Sequence, residues 1–331
     1  MTPRRLLALG AIVTIAVYVQ TLWFGLVYED VNALPIGAWS WMWLRWLRGG
    51  QAVSFWLTDW GGGYTVAHAG NLALHLVNGW LVWRIARVWL PEAAAVWAPV
   101  LTWLAPMQTE AVAYLQGRGD LLMATWVLLG ISLLVCRTRS PWRWTRWTAV
   151  IVIAGLAAWT KELGIVAVPI LLWTAASWRM TARIGWGVWS MVGVLALCVL
   201  GYVSQTDQFQ MRAAISDQPL LNYVAMQASA WWRYVALIVW PVGLSIDHDF
   251  ERVWTGWHLL ALVGVGVTGW QAWRGRHHLA GWAIGAALLS IAPRFVLRQE
   301  EFMHEKHMYL AVCLLSLALA SGVARLMKAR T

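Results

Sequence analysis

The feature that most limits how this chain can fold is a succession of apolar blocks, each about twenty residues long, separated by short polar breaks. Of its 331 residues 60% are hydrophobic and only 12% are charged. A soluble protein could bury one or two such blocks, but so little polar surface could not cover ten of them. The pattern therefore predicts an all-α, polytopic integral membrane protein with about 10–11 membrane segments.

The formal net charge is +10, yet the basic residues cluster at the ends of apolar blocks. They indicate topology and do not form a nucleic-acid surface, so we expect membrane lipids and no nucleic acid among the partners. Cys136, Cys198 and Cys313 all lie in apolar blocks. This position predicts buried small hydrophobic residues, not a disulfide framework.

The N-terminal segment predicts a retained first span. Its basic start and apolar core resemble a signal peptide, but no small-residue cleavage site precedes Glu29. Arg4 and Arg5 place the N-terminus inside, so Glu29 and Asp30 emerge outside. The first external loop, 28–70, contains "AWSWMWLRWLRGG", which suits an amphipathic helix lying in the interface.

Basic residues define a topology for the remaining blocks, with spans near 70–83 and 93–105 and a helical hairpin whose outer tip is "TKELG". The region 204–256 is expected to be external or re-entrant, with its apolar block 222–246 bent at Pro241. Asp247 and His304 then lie outside, and Arg276 lies inside. We expect a single transmembrane domain over 1–331 and no soluble C-terminal domain.

This topology brings many ionisable residues to the outer side. Each one near the membrane core costs about 2.5–3.5 kcal/mol unless it finds a partner or water. Their convergence predicts a shared polar cavity, formed by Glu29, Asp30, Glu110, Arg118, Asp120, Lys161, Glu162 and the segment "RFVLRQEEFMHEKHMY".

The adjacent carboxylates of Glu29 and Asp30 allow two interpretations. They are either a charge cluster where a span meets water, or a general base beside a second carboxylate that orients an acceptor or a cation. His68, Asn71 and His75 share one helix face at i, i+3 and i+7. The spacing favours a role in hydrogen bonding to neighbouring helices over a catalytic role. It gives still less support to a metal site.

In "QGRGD" the glycines beside Arg118 would let the backbone approach an anion while the guanidinium grips it. The alternative is a turn into the fourth span with Asp120 as its N-cap. Lys161 and Glu162 could simply pair with each other at their hairpin tip. "HEKH" is not the HExxH zinc motif, although Glu301, His304 and His307 could bind a metal, so metal dependence stays open.

Five stretches, taken in order, resemble the GT-C glycosyltransferases, most closely the O-mannosyltransferases that carry tetratricopeptide repeats (the TMTC family). "LVYEDV" resembles the family's hydrophobic-Tyr-Asp-Asp pattern, and His68, Asn71 and His75 match its His-x-x-Asn-x-x-x-His helix. "TEAVAYLQGRGDLL", "TKELG" and "EKHMYL" resemble three further segments. Departures are Gln108 in place of His, Ala311 in place of Pro, and the lack of repeats.

The resemblance implies an inverting transferase in a bacterial inner membrane. It would move a sugar, such as mannose, from a polyprenyl-phosphate donor to a hydroxyl of an exported protein or glycan on the extracytoplasmic side. The polyprenyl-phosphate sugar is the donor substrate, no cofactor is certain, and the need for a divalent metal stays open. The resemblance implies that Glu29 is the base and that Asp30 and Glu110 orient the acceptor or the site. Arg118 and Lys161 would contact the donor phosphate. Supporting roles are implied for His68, Asn71, His75, Asp120, Glu162, Glu305, Lys306 and Tyr309.

Two other functions remain open at this point. A transporter or flippase for a lipid-linked sugar would use the same charges without bond chemistry, although the sequence has no inverted repeats to favour it. A structural partner in a secretion complex would tolerate alanine at Glu29. The sequence does not identify the sugar, the acceptor or the oligomeric state.

Overall fold

The computed structural model describes residues 2–25, 48–136, 143–178, 190, 193, 219–246, 248, 255–296 and 302–329. Every regular element in these ranges is a helix. The predicted all-α class is therefore confirmed, and the chain is an all-α membrane protein.

The described α-helices are numbered here in chain order. They are α1 (Pro3–Tyr18), α2 (Gly49–Ala86), α3 (Glu92–Ala95), α4 (Trp97–Trp103), α5 (Thr109–Ala113), α6 (Arg118–Val135), α7 (Arg143–Thr160), α8 (Ala167–Ser177), α9 (Leu220–Val239), α10 (Gly256–Arg274), α11 (Leu279–Val296) and α12 (Tyr309–Ala329). Short 3₁₀ segments are Val19–Trp23, Pro106–Gln108, Leu115–Gly117, Glu162–Val166 and Glu305–Met308.

Within the described residues, three continuous helical stretches are long and apolar enough to cross a membrane: Pro3–Trp23, Leu115–Val135 and Glu305–Ala329. Shorter apolar helices cover Thr145–Thr160, Glu162–Ser177 and Leu279–Phe295. The predicted hairpin around "TKELG" corresponds to α7, the Glu162–Val166 turn and α8. Residues 49–70, assigned to a loop from the sequence, are helical and form the first part of α2.

Local sequence explains several helix ends. Pro3 occupies the first turn of α1, where no backbone N–H is needed, and the Thr2 hydroxyl accepts from the Arg5 backbone N–H. Pro91 precedes α3 and Pro219 precedes α9. The predicted span 93–105 is divided between α3 and α4, which join at Val96.

The core forms where small residues let helices approach closely. A Cβ on Gly79 of α2 would overlap the indole of Trp103 on α4, whose Nε1 donates to the His75 carbonyl oxygen at 3.1 Å. Helix α2 also packs on α6, α6 on α7, and α11 on α12. These contacts hold α2, α6 and α12 around one apolar core.

The two ends of the bundle differ in chemistry. At one end, which we call the basic end, the guanidiniums of Arg84, Arg87, Arg274 and Arg276 each lie 4.6–4.9 Å from the centre of a nearby tryptophan ring. Such Trp and Arg pairs suit a membrane interface. The opposite end, the polar end, contains the ionisable groups described below.

Helix α9 ends at Val239, two residues before Pro241. Gln227 within α9 donates to the Phe302 carbonyl at 3.4 Å, and the Ser245 N–H beyond it donates to Glu305 Oε1 at 2.8 Å. The chain at Gln227 and the chain at Ser245 therefore both lie at the polar end. That the region 204–256 is external or re-entrant stays a prediction.

Candidate functional site

The polar end gathers side chains from four separate parts of the sequence into what we call the polar cluster. They come from α5, from the first turn of α6, from the tip between α7 and α8, and from the segment before α12. The members of the polar cluster are Glu110, Asp120, Lys161, His304, Glu305, Lys306 and His307, and all but His307 are buried.

Lys161 and Asp120 form the centre of the polar cluster. The Lys161 ammonium donates to both carboxylate oxygens of Asp120 at 2.7 Å. His307 Nδ1 lies 3.5 Å from the ammonium and 3.7 Å from Asp120 Oδ1. Burial lowers the pKa of Lys161, and the Asp120 charge opposes that shift. The site thus contains a largely desolvated cation held by one carboxylate.

Glu110 ties α5 to the segment before α12. Its Oε2 accepts from the Lys306 backbone N–H at 2.8 Å, and its Oε1 lies 3.2 Å from His304 Nδ1. The Lys306 ammonium is 3.9 Å from Oε1 and 5.0 Å from the centre of the Tyr114 ring. The Glu110 carboxylate therefore positions the Lys306 ammonium, and its predicted orienting role stays a prediction.

Glu305 binds the chain after α9. Its Oε1 accepts from the Ser245 backbone N–H at 2.8 Å and meets His248 Nε2 at 2.9 Å. The tyrosine hydroxyl of Tyr234 donates to the His304 carbonyl at 2.9 Å. These bonds anchor both sides of the His304–Glu305 peptide to neighbouring elements.

Lys161 and Glu162 do not pair with each other, so that interpretation of their adjacency is wrong. The Arg48 guanidinium binds Glu162 in a bidentate manner, with Nε–Oε2 and Nη2–Oε1 distances of 3.1 and 2.7 Å. Lys161 is extended and Glu162 begins the 3₁₀ turn, so the two side chains diverge and each has its partner on another element. Glu162 therefore holds the start of α2 to the hairpin tip.

Arg118 is 1% exposed, and its contacts are with the protein. Nε donates to Asn71 Oδ1 at 2.9 Å, Nη1 to the Ser54 carbonyl at 3.2 Å, and Nη2 to the Ala67 carbonyl. The guanidinium also lies 4.4 Å from the centre of the Phe55 ring. The predicted contact with a donor phosphate stays a prediction.

Asp120 is not the N-cap of its helix, contrary to one interpretation of "QGRGD". Gly117 occupies the N-cap position without a side-chain hydrogen bond, and Asp120 lies in the first turn of α6. Its carboxylate turns instead toward Lys161. A Cβ on Gly117 would overlap the Ala111 carbonyl, so the glycine allows α5 and α6 to approach.

The polar stripe of α2 faces inward, as its spacing predicts. Asn71 Nδ2 donates to the Val112 and Tyr114 carbonyls at 3.3 and 3.1 Å. His68 is buried with its ring edge-on to Phe24. The stripe thus fixes α2 against the α5 region and against the end of the first helix.

His75 extends the stripe to Tyr309. Its Nε2 lies 3.2 Å from the Trp103 carbonyl oxygen, so Nε2 carries the proton and Nδ1 accepts from the Tyr309 hydroxyl at 2.8 Å. Asn78 Nδ2 donates to the same hydroxyl at 3.2 Å. Tyr309 begins α12 directly after the Glu305–Met308 turn, so this network positions Glu305 and Lys306.

A small cavity of about 10 Å³ adjoins the polar cluster. Its polar lining comes from Gln227, Tyr234, Arg294 and His307. Arg294, near the end of α11, is 4% exposed and donates through Nη2 to the Phe302 carbonyl at 3.2 Å. The cavity is the size of about one water molecule.

Glu29 and Asp30 lie outside the described residues, and so does Glu301 of the suggested metal group. On the two sides of the stretch 26–47, Phe24 meets His68, and Arg48 binds Glu162. Within the described ranges, no three His, Cys, Asp or Glu residues are grouped to hold a metal ion.

Sequence reasoning missed three residues around the site, Asn78, Tyr234 and His248; it placed Arg294 in the segment that forms the predicted polar cavity but gave it no role. Asn78 continues the i, i+3, i+7 stripe by one step, so the spacing contained a signal for it. Tyr234 and His248 had no local signal, because each acts through a partner far along the chain.

No family model and no curated protein matches the chain. Among solved structures, the chain is similar to the oligosaccharyltransferase of Archaeoglobus fulgidus, crystallised in its apo form. The two share 13% sequence identity with a TM-score of 0.49, over 97% of this chain and 50% of the other. The chain thus spans about half the length of that protein, and at this level of likeness its function has to be argued from the site.

Proposed function

We propose that the chain is a GT-C-type, inverting membrane glycosyltransferase. It transfers a sugar from a polyprenyl-phosphate donor to an acceptor hydroxyl on the extracytoplasmic side of the membrane. The observation that carries the proposal is the polar cluster. Segments selected by their sequence resemblance, up to about two hundred residues apart, supply carboxylates and cations to one buried site at a single end of the bundle.

In the proposed reaction the Glu29 carboxylate takes the proton of the acceptor hydroxyl. The acceptor oxygen attacks the anomeric carbon, the bond from that carbon to the phosphate oxygen breaks, and the polyprenyl phosphate leaves with inversion at carbon. Phe24 is five residues before Glu29. Five extended residues span at most about 17 Å, which limits how far Glu29 can lie from Phe24.

Lys161 and Lys306 are the cations proposed to stabilise the negative charge of the leaving phosphate. Each is buried and held by one carboxylate, Asp120 or Glu110. A preorganised cation in a water-excluded site stabilises developing charge more than the same cation in water. Asp30 orients the acceptor. Arg118 holds the start of α6 against α2, and its contact with the donor phosphate stays a prediction.

Consumption of a labelled donor tests this function. Purified protein is incubated with polyprenyl-phosphate sugars, radiolabelled in the sugar, and with lysates or exported proteins as acceptors. We expect release of polyprenyl phosphate and a labelled product for at least one sugar. Transport of the intact donor across a proteoliposome membrane, with no bond cleavage, would instead support the flippase alternative.

A further inference from the structure

The outward side of α2 changes from apolar to basic as the helix approaches the basic end of the bundle. Val77, Trp80, Arg84 and Arg87 follow one another at i, i+3, i+7 and i+10, so they share one side of the helix. Val77 is 42% exposed and Trp80 is 43% exposed. Exposed apolar side chains on a predicted membrane span face lipid, so this side of α2 leads from the acyl chains to the level of the headgroups.

Each of the two arginines stacks on a tryptophan one turn earlier in α2. The Arg84 guanidinium lies 4.9 Å from the centre of the Trp80 ring, and that of Arg87 lies 4.6 Å from the centre of the Trp83 ring. Each guanidinium is therefore folded back along the helix, toward the apolar part of α2, instead of extending into water. Stacking uses one face of the planar group and leaves its N–H edges for other acceptors.

No carboxylate within the described ranges lies within 4 Å of Arg84 or Arg87, because the ion pairs found there are at the polar end. Arg276 differs from these two, since its Nη1 donates to the Trp273 carbonyl at 2.8 Å and closes the end of α10. Two like charges one turn apart on a helix repel each other. An anion from outside the chain would relieve that repulsion.

We propose that Arg84 and Arg87 bind the headgroup of an anionic phospholipid in the cytoplasmic leaflet. A guanidinium binds phosphate oxygens through two parallel N–H bonds, and basic residues on the cytoplasmic side attract anionic lipids. Val77 and Trp80 favour a phosphate that carries acyl chains, because a free phosphate or an acidic protein would leave these two side chains without an apolar partner. The inference uses the predicted orientation of the basic end and does not depend on sugar transfer.

Binding of phosphatidylglycerol to the purified full chain in detergent tests the site. Native mass spectrometry counts the bound lipids, and phosphatidylcholine is the neutral comparison. We expect the unmodified protein to prefer phosphatidylglycerol, and Arg84→Gln and Arg87→Gln each to weaken its binding about fivefold, the usual contribution of one arginine at an anionic membrane surface. Arg233→Gln is the matched control and should leave binding unchanged, because Arg233 is exposed on α9 beside Tyr234, at the polar end.

A double lysine variant separates a built site from a diffuse charge effect. Arg84→Lys combined with Arg87→Lys keeps both charges but loses the planar forks, so binding of phosphatidylglycerol should still fall severalfold. Unfolding in lipid-free detergent checks that every variant is folded. Equal losses in Arg84→Gln and Arg233→Gln, full binding by the double lysine variant, or displacement of phosphatidylglycerol by inorganic phosphate would overturn the proposal.

Discussion

At the scale of single residues, Arg118 separates two roles that one sequence motif allows. Its guanidinium has acceptors at Asn71, Ser54 and Ala67, and a lysine ammonium cannot reach all three from one point. We expect Arg118→Lys to lower the free energy of unfolding by about 1.5–3 kcal/mol, because buried charged hydrogen bonds are lost.

Thermal or denaturant unfolding in detergent measures that loss. Arg325→Lys is the matched control, since Arg325 is exposed on α12 and should tolerate the change. Unchanged stability together with a donor KM raised about tenfold would show instead that Arg118 binds the donor phosphate.

At the scale of elements, the tip between α7 and α8 is held to α6 by the Lys161–Asp120 pair. Removing one partner of a buried pair leaves an uncompensated charge, which costs about 3–5 kcal/mol. We expect Lys161→Met and Asp120→Asn each to lower the free energy of unfolding strongly. The loss in the double variant should be smaller than the sum of the two single losses by at least about 1 kcal/mol.

A double-mutant cycle by denaturant unfolding measures this coupling. The Arg48–Glu162 pair provides the control, because the Arg48 side chain is 44% exposed and its coupling should be smaller. Additive losses for Lys161 and Asp120 would mean that the pair does not join the tip to α6.

The sequence could predict the helices further than it could predict the contacts within the candidate site. Apolar blocks predicted α6, the α7–α8 hairpin and α12, because helix formation in a membrane depends on local composition. The stripe of Asn71 and His75 also followed from spacing. The sequence did not predict which charged residues pair with each other. Glu162 binds Arg48 and Lys161 binds Asp120, because these partners are brought together only by the tertiary fold.

At the scale of the whole molecule, the two ends predict the orientation in the membrane. The basic end should face the cytoplasm and the polar end the outside. In a variant without Cys136, Cys198 and Cys313, we expect a cysteine at Val242, which is 67% exposed, to react with an impermeant thiol reagent added outside cells.

A cysteine at Arg274, on the basic end, is the control and should react only after the cells are opened. Labelling at 274 and protection at 242 from outside would reverse the orientation. Labelling of both from outside would show that α10 does not cross the membrane.

The account as a whole depends on one carboxylate, that of Glu29. Glu29→Gln keeps the shape of the side chain but cannot accept the acceptor proton, so the rate of sugar transfer under saturating donor should fall by about 10²–10⁴. Glu29→Asp should retain more activity than Glu29→Gln, and Asp30→Asn should have a milder effect.

The most direct test is therefore the transfer rate of Glu29→Gln beside that of Glu92→Gln, an exposed carboxylate at the start of α3. Donor binding is measured separately on the same folded preparations. We predict that Glu29→Gln loses transfer while it keeps donor binding, and that Glu92→Gln matches the unmodified protein. Full transfer activity in Glu29→Gln would contradict the proposed mechanism.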